Sequence, residues 1–111
     1  MYAILRVNTY DPEKLAAAAD RMEEFDRLHA AQPGAEGSIA VDLGNGRRFV
    51  LNVWDSVDAS RAGQRVLVPH LQRLLVPLMS QPSEFLGAGP VVTWQIGSSS
   101  SGWDRLGKPP A

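Results

Sequence analysis

A chain of 111 residues with 44% apolar side chains is long enough to bury one core and too short for two ordinary domains. Its formal charge of −1, with acids and bases interleaved, excludes the basic stripe by which proteins hold nucleic acid. The absence of cysteine excludes disulfides, thiolate nucleophiles and cysteine metal sites. No apolar run of about 18 residues suggests a membrane span. The start shows no basic-then-apolar leader, so a soluble cytoplasmic protein is expected.

In chain order, Tyr2 to Asn8 is apolar and β-branched and predicts a first strand. Asp11-Pro12-Glu13 then starts a helix: Asp11 caps it, Pro12 suits its first position, and Glu13 favours its positive end. That helix is predicted to run from Pro12 to Ala31. Leu15, Ala18, Ala19, Met22, Phe25 and His29 recur on one side of it. His29 closes this series near the negative end of the dipole, which is reason enough for its presence. Gln32-Pro33-Gly34 stops the helix.

Ser38 to Leu43 alternates polar or small with apolar and predicts a half-buried strand. Gly44-Asn45-Gly46 is a hairpin turn, because Gly and Asn tolerate positive φ. It leads into Arg47 to Trp54, the longest β signal of the chain. At Ser56 the period changes again. Val57 to Leu67 and Pro69 to Met79 read as one helix interrupted or restarted at Pro69, with Leu67, His70, Leu71, Leu74 and Leu78 on one face. Phe85 to Pro90 is irregular, and Val91 to Ile96 predicts the last strand. Residues 98–111 read as a loose tail after a domain at 1–97, with Trp103 an apolar anchor within it.

The order β-α-β-β-α-β predicts an α+β, ferredoxin-like sandwich: an antiparallel sheet with both helices on one face. Alternation places Ala3, Leu5, Val7, Ile39, Val41, Leu43, Phe49, Leu51, Val53, Val92, Trp94 and Ile96 on one face, expected under the helices. The other would carry Tyr2, Ile4, Arg6, Asn8, Val50, Asn52, Trp54, Val91, Thr93 and Gln95. That second face is too apolar to stand bare, and a second copy of the same sheet is its simplest cover. A homodimer follows as the expectation.

With this element order, Pro33-Gly34 and Gly37 before the second strand, and Val53-Trp54-Asp55-Ser56 leading into the second helix, the chain resembles the antibiotic biosynthesis monooxygenase-like family over residues 1–97. The resemblance implies a dimeric α+β barrel with a hydrophobic pocket in each subunit. It also implies, for some members, oxidation of aromatic polyketide hydroquinones by molecular oxygen without metal or flavin. Other members degrade haem, isomerise lactones or have no known activity. Asn8 falls where haem-degrading relatives carry an asparagine. The tryptophan and histidine of their second helix are not matched here, since that helix lacks tryptophan and His70 comes too early. Haem is therefore not expected, and two distant histidines argue against a metal site.

The candidate site residues follow from the second face. Trp54 would stack an aromatic substrate or pack at the dimer interface. Asn8 and Asn52, disfavoured in strands, would hold a phenol oxygen or merely bond backbone and water. His70 would serve as general base, or be a satisfied core histidine. Arg6 would neutralise an anionic oxygen or make a dimer salt bridge, and Tyr2 would donate near the pocket end. Two functions compete: an oxygenase acting on a small aromatic molecule, and a non-catalytic dimer that binds a ligand or is purely structural.

Overall fold

The computed structural model describes residues 1–95. Strand β1 (Tyr2–Thr9) is followed by two helices, α1 (Pro12–Ala16) and α2 (Ala19–Ala30). The β2 (Ala35–Gly44) and β3 (Arg47–Trp54) hairpin, helix α3 (Val57–Leu74), a 3-10 turn (Val76–Leu78) and strand β4 (Glu84–Pro90) complete it. The sheet order is β2-β3-β1-β4, with every neighbouring pair antiparallel. This is the expected ferredoxin-like α+β architecture. At the hairpin, Gly44, Asn45 and Gly46 all take positive φ. Gly46 could hardly carry a side chain, because a Cβ there would lie 2.0 Å from the Tyr10 carbonyl oxygen.

Four expectations need correction. The first helix is not continuous to Ala31. Ala18 leaves the helical region at φ −129, and its side chain is buried beside Tyr10, Leu74, Leu75 and Leu78. The break lets α1 follow the cap at Asp11, whose carboxylate accepts from the Glu13 and Lys14 amides, while α2 turns across the sheet. The second helix, by contrast, continues through Pro69, and the chain departs from α geometry only at Leu75. Pro69 lies on the exposed side, where water can satisfy the carbonyl it leaves free. The stop falls before Pro77, where the α region is disfavoured for the preceding residue.

The last strand is Glu84–Pro90, not Val91–Ile96. Propensity favours Val-Val-Thr-Trp, yet the partner on offer is β1, and Glu84 to Pro90 takes its edge with a register shift between Leu5 and Arg6. Val91 contributes one bond, its N–H donating to the Met1 carbonyl. Val92 and Trp94 stand exposed rather than under the helices. Ile96, Trp103 and the tail at 98–111 lie outside the described residues.

The helices cover the opposite face of the sheet from the one expected, although Ala3, Val7 and Val53 of the expected core face are buried too, at 8%, 8% and 1% exposed. Ile4 and Trp54 form a buried cluster with Leu67 of α3, joined by Tyr2, Phe25 and Leu28, so theirs is the covered face. Ile39, Val41 and Leu43, expected in the core, remain 40%, 44% and 49% exposed. The reason is a fit between elements. A Cβ on Gly63 of α3 would lie 2.3 Å from the Trp54 ring. This gap in the helix surface admits the indole and brings α3 down on the tryptophan's side. Alternation fixes which residues share a face; helix contact decides which face is inside.

Candidate functional site

Strand β1 sends Arg6 and Asn8 onto the covered face near its far end. There the chain returning from the 3-10 turn passes beside them as Ser80-Gln81-Pro82-Ser83. Backbone bonds seat that return: Ser80 N–H donates to the Thr9 carbonyl and Asp11 N–H to the Leu78 carbonyl. Between it and the end of α3 lies an open cleft of about 500 Å³, walled by Leu71, Val76, Met79 and Pro82, with Ser80, Gln81 and Ser83 as its polar lining.

Ser83 connects this cleft to β1. Its hydroxyl donates to Asn8 Oδ1 at 2.5 Å. Arg6 Nη1 approaches Ser83 Oγ at 3.5 Å, a long contact. The guanidinium carbon stands 5.3 Å from the centre of the exposed Phe85 ring, within cation–π range. Among the described residues Arg6 forms no ion pair, the one ion pair there being Arg73 with Glu24 at 3.0 Å. A half-buried guanidinium without a carboxylate is a ready receptor for an anionic or electron-rich oxygen. Asn8 itself is buried. Burial raises the pKa of the Tyr10 phenol, opposed by the neighbouring Asn8 side chain and by Arg48.

The remaining expected site residues are not gathered here. Trp54 is only 1% exposed, enclosed by Gly63, Ile4, Leu67 and a histidine. No open wall remains for stacking. Asn52 lies two strands from the cleft, opposite Ile4, and accepts from the Ser38 hydroxyl at 2.9 Å. Tyr2 packs on the Trp54 cluster. His70 lies on the outer side of α3, its Nδ1 3.1 Å from an Arg73 nitrogen, and Arg73 in turn pairs with Glu24. That places it in a surface network between α2 and α3, without a described contact to Arg6, Asn8 or Trp54.

Two residues were missed. Ser83 carried no signal, since a serine between Pro82 and Glu84 reads as loop. His29 had one, as the last member of the apolar series on its helix. It is 8% exposed, its ring centre stands 5.1 Å from that of Trp54, and Nε2 has no hydrogen-bond partner. Burial lowers its pKa, against the pull of Asp26 one turn earlier.

A second open cleft, about 520 Å³, lies between α1, α2 and the hairpin, with Leu15 and Met22 inside and Glu23, Asp42 and Arg48 around it. Among the described residues no three acidic, histidine or cysteine side chains come together as a metal site would require. None of the helices there is long and apolar enough to cross a membrane.

Solved structures share this architecture. A protein of unknown function from Nitrosomonas europaea superposes with a TM-score of 0.71 at 17% identity, covering 88% of this chain and 95% of its own. SnoaB, a cofactor-independent oxygenase from Streptomyces nogalater, gives 0.69 at 18%, covering 86% and 97%. An antibiotic biosynthesis monooxygenase gives 0.66 at 16%, covering 84% and 100%. No protein-family model and no curated protein sequence matches the chain. The chain has the fold of the antibiotic biosynthesis monooxygenase-like proteins, and at these identities the likeness is one of fold.

Proposed function

We propose that this chain is an oxygenase of the cofactor-independent kind, binding a small phenolic aromatic molecule in the cleft beside Ser83 and oxidising it with molecular oxygen. The observation that carries this reading is Arg6, a half-buried cation without a carboxylate partner among the described residues, which reaches to 3.5 Å from the Oγ of Ser83, and Ser83 in turn lines an apolar cleft. SnoaB and the other monooxygenase of like fold lend support by analogy.

The chemistry asks little of the protein. A phenol whose oxygen lies against a guanidinium ionises more readily, because the cation stabilises the phenolate. The electron-rich ring can then reduce oxygen directly. Phenol and O2 give quinone and water: one oxygen atom enters the ring carbon, the other leaves as water, and the ring supplies all four electrons. Arg6 stabilises the anion, the apolar walls hold the ring, and the phenolic proton leaves through the open cleft. With His70 engaged by Arg73, no role is assigned to it.

The enzyme would work as a homodimer. Leu5, Ile39, Val41, Leu43, Phe49 and Leu51 occupy the sheet face turned away from the helices, and three of them are exposed by 40% or more. The exposed part of that face, on edge strand β2, is suited to a second copy.

One observation favours a second reading, a ligand-binding dimer without turnover. Trp54 is wholly enclosed by the chain's own atoms and so cannot help to orient a substrate. Calorimetric titration with naphthol-type compounds tests both readings. Saturable binding that weakens about tenfold or more in Arg6→Met supports the cleft as the site, on the worth of a charged hydrogen bond. Undiminished binding in that variant would remove Arg6 from the account. Binding without any oxygen uptake would leave the second reading standing.

A further inference from the structure

Val53 is buried on the side of the sheet that carries no helix. It pairs with Ala3 on one side and Gly37 on the other, so it shares their face, opposite to that of Trp54. Alanine and glycine are too small to shade a valine, yet Val53 is 1% exposed and Ala3 is buried beside it. Further along the same face, Val7, Phe49 and Val41 form one rung across β1, β3 and β2. Val7 is buried there while Val41 stands 44% exposed. This pattern calls for a cover over β1 and β3 that stops short of the β2 edge.

The residues that follow β4 supply too little of it up to Gln95. Val92 is 91% exposed, and Thr93 and Gln95 are exposed as well. Trp94 keeps 43% of its surface in solvent, so it shades one rung at most. Ala3 and Val7 lie four residues apart on β1, about 13 Å, which is more than one ring spans. Residues 96–111 bring three further large apolar side chains, Ile96, Trp103 and Leu106.

The chain also leaves the sheet at the right place. Pro90 pairs with Tyr2, and Val91 N–H donates to the Met1 carbonyl, so the exit lies beside Ala3. Between Gln95 and Trp103 the sequence is mostly glycine and serine. Eight residues of that composition span about 15 Å on average, close to the roughly 14 Å from β4 to β2 in a four-stranded sheet. We infer that residues 96–111 cover the helix-free face of their own sheet, with the Trp103 indole as the anchor over β1 and β3. The seat is on the opposite side of the sheet from Arg6 and Asn8. Ile39, Val41 and Leu43 of β2 remain for a second copy, which would then meet the tail along the rim of its contact.

Because the chain has no cysteine, paired cysteine substitutions in the full chain report this position. Gly37 does not use positive φ, and a Cβ there would meet nothing within 4 Å. Gly37→Cys therefore places a thiol on the helix-free face, and Ser38→Cys places one next to it on the other face. Each is combined with Asp104→Cys, oxidised with copper phenanthroline and followed by non-reducing electrophoresis, with circular dichroism to establish folding. The Gly37 pair should close within one chain roughly tenfold or more faster than the Ser38 pair, as burial of one indole would give. Adding Trp103→Ser should erase that advantage. If Gly37→Cys disturbs the hairpin, Gly89→Cys against Ala88→Cys poses the same question on β4. Equal rates for the two faces, or an advantage that persists without Trp103, overturn the inference. Covalent dimers in place of closed monomers also overturn it, since they put the tail on a second copy.

Discussion

His29 shows how much one buried side chain can decide. Its neutral ring fits between Phe25 and Trp54, with ring centres 6.5 and 5.1 Å away, and Nε2 meets no acceptor that would welcome a proton. Burial therefore holds its pKa below the ordinary 6.5. The unfolded chain takes up this proton first as pH falls, so the folded state loses stability on going below about 6.5 and continues to do so down to the folded pKa. Asp26 works the other way, since burial raises its pKa above 3.8 and its protonation favours the folded state at lower pH. Urea unfolding at a series of pH values should show a declining midpoint between neutral pH and mild acid. His29→Leu should flatten that decline. A slope equal to the native one would mean that another group titrates. The same residue illustrates what was legible at this scale. His29 and His70 both fell on apolar helix faces in the sequence, and the chemical argument favoured His70. The packing partner that separates them, Trp54 against one and Arg73 against the other, comes from elsewhere in the chain.

Among the elements, α3 and β3 carry the architecture through a single fit. Gly63 is a poor helix former by propensity, and exchanging it for alanine in an ordinary exposed position would stabilise the helix by up to about 1 kcal/mol. Here the added Cβ would meet the Trp54 ring at 2.3 and 2.5 Å. Overpacking of a rigid, buried ring costs about 1–3 kcal/mol. Gly63→Ala should therefore lower the urea midpoint, and a raised midpoint would show that Trp54 yields easily. The count and order of the elements were legible because strands and helices declare themselves by period. Three details were not. The helix break at Ala18 carries no breaker residue, and Pro69 looked like an interruption because its exposed position was unknown. Val91 to Gln95 has strong β propensity, but a strand requires a free edge, and Glu84–Pro90 reaches β1 first. Each miss is a tertiary choice overriding a local one.

For the whole molecule, exchanging the two faces alters the dimer argument without ending it. The face without helices is the more apolar of the two; Ala3, Val7 and Val53 are buried on it, while Ile39, Val41 and Leu43 of β2 are exposed. A charge at Val41, which has no helix above it, should spare the core and break the association. Sedimentation velocity should give a dimer for the native chain and a folded monomer for Val41→Glu. A native monomer would leave the bare face without its proposed partner.

The face exchange also explains how much of the site could be read. Arg6 and Asn8 were found because they are unusual residues on a strand, and they do meet. Trp54 and Asn52 share their face but are held apart by strand order and by α3. Ser83 was invisible without the cleft it lines.

The most direct test of the central claim is oxygen consumption by the purified protein with a dihydroxynaphthalene, in buffer containing a chelator and no flavin. The account predicts uptake above the protein-free rate, one O2 per quinone formed, and a rate at least tenfold lower in Arg6→Met, from the loss of a charged stabilising contact. Uptake no faster than in buffer alone, or the same in Arg6→Met as in the native protein, would contradict it.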